Sequence, residues 1–244
     1  MRVERTFARR TLVALGATLL LPMTAYASTD AYRIDTHRGE VLTSDGKSEA
    51  GETTDSPRFQ IFTKRDGKNS RAEFRFRNDF DNPDTITFVG EMRVLKWSSK
   101  PDAGGISVAQ TLSNAAKPGD GSTPLSQLAL DSDLEFYEVH APRDGDDEAC
   151  IDSSTGKPAQ IRVNGGYRTV KIVYNQQDRS SQAFVQTREN GPLWPCPVVT
   201  SQTRYKGDGR DFSELYTKIG AYHLGSGDGN VQVQWRNFSL SGAQ

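Results

Sequence analysis

Apolar and polar residues alternate with a period of two through most of the chain. The clearest runs are RFQIFTKR, RAEFRFRN, DTITFVGEMRVLKW, GISVAQTLS, PLSQLAL, DLEFYEVHA, QIRVNGGYRTVKIVYN, QAFVQTRE, ELYTKIGAYHL and NVQVQWRNFSL. Alternation of this kind sends successive side chains to opposite faces of a strand. The runs are rich in Val, Ile, Phe, Tyr and Thr, and the turn signals DG, GDG, DNP and NGG fall inside or between them. Only DFSELYTKI competes as a helix, and its Ile, Thr and Tyr favour a strand. Many short strands with Gly-rich turns predict an all-β sandwich or jelly roll. Residues Ser28 to Pro57 are polar, and TSDGKSEAGETTDSP at their end reads as a loop or a loose edge strand. No fixed-period repeat and no long linker interrupts the pattern, so residues 28–244 are expected to form one domain.

The same alternation sorts the chemistry. In NSRAEFRFRND, Ala72, Phe74 and Phe76 share one face, and Arg71, Glu73, Arg75 and Arg77 share the other. The aromatic side belongs in a core. The other side is either a solvated outer face or a row of guanidiniums suited to carboxylates, with Glu73 holding the arginines in place. In ELYTKIGAYHL, Tyr216, Lys218, Gly220 and Tyr222 share a face opposite Leu215, Ile219 and Ala221. Gly220 removes a side chain where something approaches the strand. Gln110 lies on a face with Val108 and Leu112, where its amide needs partners.

The N-terminus changes the picture of compartment. MRVERTFARRTLVALGATLLLPMTAYAS has four arginines, an apolar run from Leu12 to Met23 and the small-x-small triplet Ala25-Tyr26-Ala27. This reads as a signal peptide over residues 1–27, too short for a membrane anchor, and predicts a secreted or periplasmic protein. Arg9-Arg10 leaves a twin-arginine route open beside the ordinary one. The leader carries Arg2, Arg5, Arg9 and Arg10 against Glu4, so its removal takes the formal charge from −1 to −4. A mildly acidic chain is a poor general nucleic-acid binder, although a local basic groove can still hold an anion. In an oxidising compartment Cys150 and Cys196, the only cysteines, are expected to form a disulfide; two free thiols are the alternative.

Three segments, in order, resemble those of the alginate-lyase-like polysaccharide lyases: family seven and relatives such as the glucuronan lyases. That group carries R-[ST]-E-[LV]-R, Q-[IV]-H and Y-F-K-A-G-x-Y strands. Here they read R-A-E-F-R (Arg71 to Arg75), Q-T-L (Gln110 to Leu112) and Y-T-K-I-G-A-Y (Tyr216 to Tyr222), followed by a final VQWRNFSL strand. The resemblance implies a β-jelly roll of two bent antiparallel sheets whose concave sheet forms a substrate groove. It implies cleavage of a 1,4-linked uronic-acid polysaccharide of alginate, mannuronan or glucuronan type by β-elimination, with no cofactor and no metal. Matched positions then put Tyr216, Arg71 and Gln110 in the catalytic set. Arg75, Lys218, Glu73, Arg77 and Tyr222 would bind substrate. Tyr216 would take the C5 proton and protonate the leaving O4. Arg and Gln would neutralise the carboxylate, and Lys218 and the arginines would favour the phenolate.

One position departs from the pattern, because Leu112 stands where the family has its histidine. Tyr216 then performs both proton transfers, or another histidine enters, or the chain only binds. Of His37, His140 and His223, His37 is the first choice, provided that YRIDTHRGEV forms an inner strand. The expected partner is an acidic polysaccharide, met by a monomer, with no nucleic acid and no membrane. The competing function is a non-catalytic acidic-polysaccharide-binding jelly roll. A glycoside hydrolase would need two carboxylates facing each other, and nothing pairs Glu73, Glu91 and Glu214. No G-x-S-x-G elbow supports a nucleophilic hydrolase. DGDDEAC (Asp144 to Cys150) reads as a solvated, disulfide-anchored loop rather than a calcium loop. ENGPLWPCP reads as a loop bearing Trp194.

Overall fold

The computed structural model describes residues 25–27, 32–43, 46–47, 56–63, 70–77, 84–98, 105–113, 123–138, 148–175, 177–178, 180–200, 215–223 and 229–243. The leader before Ala25, His140, Glu214 and residues 144–147 lie outside this set.

Two large antiparallel sheets carry the described residues, with no helix among them. The first has nine strands. From one edge run β16 (Trp194–Thr200), β15 (Ser180–Val185), β14 (Arg168–Asn175), β7 (Thr85–Trp97), β18 (Gly229–Ala243), β5 (Arg58–Thr63), β3 (Gly39–Thr43) and β4 (Gly46–Lys47). A short β1 (Ala25–Ala27) pairs with β18 beyond the end of β5. The second sheet has seven strands: β11 (Glu148–Ala149), β10 (Phe136–Glu138), β9 (Thr123–Leu130), β8 (Ile106–Ser113), β17 (Leu215–His223), β6 (Arg71–Arg77) and β2 (Tyr32–His37). A small hairpin of β12 (Ile151–Asp152) and β13 (Lys157–Pro158) stands apart. The fold is the expected all-β jelly roll.

Alternation delivers the core directly. Ala72, Phe74 and Phe76 on β6 and Ile219 and Ala221 on β17 are buried. They meet Phe59 and Ile61 of β5 and Val231, Val233 and Trp235 of β18 in one continuous cluster. The Phe59 and Phe74 rings join the sheets edge-on at 4.9 Å between centroids. Each such buried phenylalanine contributes roughly 1.5–3 kcal/mol by leaving water.

The polar N-terminal stretch supplies β2, at the edge of the second sheet, and β3 in the first, so YRIDTH forms the strand that a role for His37 requires. One segment differs from the reading of the sequence. ENGPLWPCP was expected to be a loop, yet Trp194–Thr200 is a strand despite Pro195 and Pro197. It tolerates them because β16 is an edge strand, where a missing N–H leaves no partner unsatisfied. Cys150 and Cys196 form the expected disulfide, which joins the β11–β12 junction to β16. With a sequence separation of 46, loop closure makes it worth about 4 kcal/mol.

Candidate functional site

The three segments that carry the resemblance are neighbouring strands. β17 lies between β6 and β8, and β2 flanks β6 on the far side. Because Phe74 and Ile219 face the core, the residues between them face outward, and the register arranges these in rows. One row runs Arg33, Arg75, Lys218, Gln110 and Gln127 across β2, β6, β17, β8 and β9. The next holds Asp35, Glu73 and Gly220. A third runs His37, Arg71, Tyr222, Ser107, Ala129 and Tyr137, reaching β10. Tyr216 pairs with Arg77 on one side and Leu112 on the other. For Tyr216, Arg77, Leu112 and Arg33, only the backbone position is described.

Charge on this face is tightly partnered. Lys218 Nζ donates to Asp35 Oδ2 at 2.8 Å and to Glu73 Oε2 at 2.9 Å. Gln110 Nε2 donates to Glu73 Oε1 at 2.8 Å. Arg71 Nε lies 2.7 Å from Asp35 Oδ1, an ion-pair contact whose N–H points off the axis. Glu73, Lys218 and Gln110 are buried even though they face away from the core. Burial raises the Glu73 carboxyl above its ordinary range; Lys218 opposes this without cancelling it, and the Asp35 charge adds to the rise. Burial would also raise Asp35, but the hydrogen bond and charge of Lys218, together with Arg71, hold it below the usual aspartate range. Burial disfavours the Lys218 ammonium, and its two carboxylates outweigh that and raise it.

This geometry corrects several expectations. Arg71 and Tyr216 share a face but stand six register positions apart, since Arg71 pairs with Tyr222 and Arg77 with Tyr216. At about 3.3 Å per residue that is roughly 20 Å. A sugar's C5 hydrogen and its carboxylate hang on one carbon, so Arg71 and Tyr216 cannot serve the same sugar unit. Lys218 was expected to favour a phenolate; its charge is instead matched by Asp35 and Glu73. Gln110 was expected to neutralise a substrate carboxylate, and its amide already gives one hydrogen to Glu73. Gly220 was read as leaving room for an approaching group. Its φ is 147°, and a Cβ there would strike the Ala72 carbonyl, with Glu73 Cα at 2.8 Å and Phe59 Cδ1 at 3.0 Å. The missing side chain accommodates β6 and the core, at a bulge where β17 slips against β8 between Ile219 and Tyr222.

His37 lies on β2 directly across from Arg71, and its residue is exposed. His223 is buried and pairs with Ile106, away from the polar rows. Asp35, Gln127 and Ser107 were missed in the sequence. Asp35 was legible by alternation with His37 once YRIDTH is taken as a strand. Among the described residues, no group of three or more His, Cys, Asp or Glu could hold a metal ion.

No family model matches the sequence, and no curated protein is similar enough to count as a relative. Solved structures do match. The alginate lyase from Corynebacterium sp. has a TM-score of 0.50 at 14% identity, over 83% of this chain and 93% of that one. The exoplasmic/lumenal domain of VIP36, in its Ca2+/Man3GlcNAc-bound form, also has a TM-score of 0.50, at 11% identity over 90% and 91%. The alginate lyase AlyC3 in complex with dimannuronate reaches 0.47 at 13% identity, over 85% and 90%. At these identities the likeness is one of fold alone, an all-β jelly roll.

Proposed function

We propose that the protein is a polysaccharide lyase acting on a 1,4-linked uronic-acid chain, with its chemistry centred on the row of His37, Arg71 and Tyr222. The observation that carries this reading is the register: a guanidinium between an imidazole and a phenol on three adjacent strands of one polar face. Arg71 takes the carboxylate of the sugar being cut and stabilises the charge that builds there as C5 loses its proton. A neutral imidazole or a phenolate takes the proton; the C5 electron pair forms the C4=C5 bond, and O4 leaves with a proton from the second group. Placing the two proton carriers on either side of Arg71 suits elimination with base and acid on opposite faces of the ring. His37 thereby fills the part left by Leu112. Asp35 orients Arg71, and the Lys218–Glu73–Gln110 assembly fixes the strands beneath.

The matched charges favour one alternative, a binding protein for acidic polysaccharide. Purified protein mixed with mannuronan, mixed alginate, glucuronan and a neutral glucan decides between them. Lyase action produces the ultraviolet absorbance of a new C=C conjugated to a carboxylate. Tyr222→Phe is expected to abolish that signal while the fold persists, and Tyr216→Phe to retain it. Turnover that survives Tyr222→Phe and vanishes with Tyr216→Phe would return the chemistry to the other end of β17.

A further inference from the structure

We propose that Ser107 and Gln127 are the donors of a second, uncharged sugar subsite, on the β8–β9 side of the candidate centre; this rests on the polysaccharide reading above. Ser107 is 1% exposed and Gln127 4%, and among the described residues neither Ser107 Oγ nor Gln127 Nε2 has a hydrogen-bond partner. Leaving a polar group buried and unpaired costs about 1–3 kcal/mol each. Both stand on the polar face. Ser107 continues the row of Arg71 and Tyr222, and Gln127 continues that of Lys218 and Gln110.

One small residue borders both donors. Ala129 lies directly across from Ser107 and two positions along β9 from Gln127, on the same face. The Tyr137 ring packs on Ala129 and brings its hydroxyl against Gly105, a glycine with φ 58° where a Cβ would strike that oxygen. The ring is therefore a cover on a floor of one methyl group. For the subsite to fill, this ring must swing off Ala129 and give up the contacts that hold it, which would bring both donors to the rim of the hollow it leaves. Ser107, Ala129 and Tyr137 bring no charge to this hollow, and Gln127 brings a neutral amide. A carboxylate desolvated there would lack a counter-charge, whereas hydroxyl oxygens suit two neutral donors. The ligand is thus a sugar unit adjoining the one held by Arg71, read through its hydroxyls and not through its acid group.

The test uses Gln127→Leu, Ser107→Ala and the double variant of the full chain, with tetramannuronate and tetraglucuronate as probes. Binding is measured by calorimetry at two salt concentrations, and stability by urea denaturation. Each single change is expected to weaken binding of the better probe by about threefold to tenfold, the worth of one hydrogen bond. The salt dependence of binding should not move, because no charge is lost. Stability should hold or rise, since a buried unpaired group has been removed. Variants that bind like the wild type, or that unfold at clearly lower urea with affinity unchanged, overturn the subsite alone. A wild type that binds neither probe overturns both the subsite and the function on which it rests.

Discussion

The outward faces of the two sheets look alike in sequence and differ in kind. On the β7–β18 sheet, Arg236 pairs with Glu91 at 2.6 Å, their side chains 39% and 30% exposed. Arg236 also stacks on Tyr167 at 3.7 Å, and Arg93 lies over the same ring at 4.7 Å. Gln60, Asn230 and Gln232 bond one another in a ladder beside them. On the β6–β17 sheet, Lys218 pairs with Glu73 at 2.9 Å, with side chains only 10% and 2% exposed. Period-two alternation produces both arrangements. Water shares in the first and is shut out of the second. A polar strand face is thus no guide to function until burial is known, and buried, interlocked charge on an outward face marks the sheet to examine.

Replacing Lys218 by Met should have the largest effect, because it strands two carboxylates; breaking a buried pair costs about 3–5 kcal/mol. The loss should also depend on pH. The folded-state Glu73 carboxyl is raised, so its contribution is complete below the ordinary glutamate range and falls as pH climbs through its folded value. Without Lys218 that decline steepens, so the variant should lose more against wild type at about pH 7 than at about pH 4. Asp35 is shifted the other way; its contribution is present above the ordinary aspartate range and disappears as acid protonates it. Urea titrations at both pH values check this, and an equal loss at each would remove Glu73 from the account.

A smaller loss is expected for Gly220→Ala, where the new methyl meets the Ala72 carbonyl and the backbone is held at φ 147°. Strain of this kind costs on the order of 1–3 kcal/mol, readable as a lower denaturation midpoint. A substitution without effect would mean that the bulge in β17 relaxes freely. The smallest effect belongs to the other sheet. Arg236→Met removes a half-exposed ion pair and should cost about 1 kcal/mol or less, falling further with added salt. If it matched Lys218→Met, the contrast between the faces would collapse.

Much of this could be read beforehand, for identifiable reasons. Strand faces follow from alternation, so the outward grouping of Arg71, Glu73, Arg75, Lys218 and Tyr222 was visible in the runs themselves. The disulfide followed from two cysteines behind an expected export signal. Register is another matter, since a strand's pattern does not say which of its residues meets which neighbour. For that reason Arg71 and Tyr216 were grouped although roughly 20 Å of strand separates them. The bulge at Gly220, set by the backbone of β6, left no mark beyond a glycine. Asp35 was passed over because YRIDTHRGEV was weighed only for its histidine, and the ion pairs of Asp35 depend on register with β6 and β17. Gln127 was legible in PLSQLAL, opposite Leu128, but an amide gains meaning only when its lack of a partner is seen.

The sandwich is fastened differently along its two long sides. At one, the chain passes from β2 to β3 through Arg38, a continuous spine between the layers. At the other, Cys150–Cys196 acts as a clasp, backed by Glu138 of β10 accepting from Ser181 Oγ at 3.2 Å and Ala183 N at 3.1 Å on β15. Reduction would remove the covalent part of the clasp beside Tyr137 and leave the Glu138 hydrogen bonds and the β2–β3 spine in place.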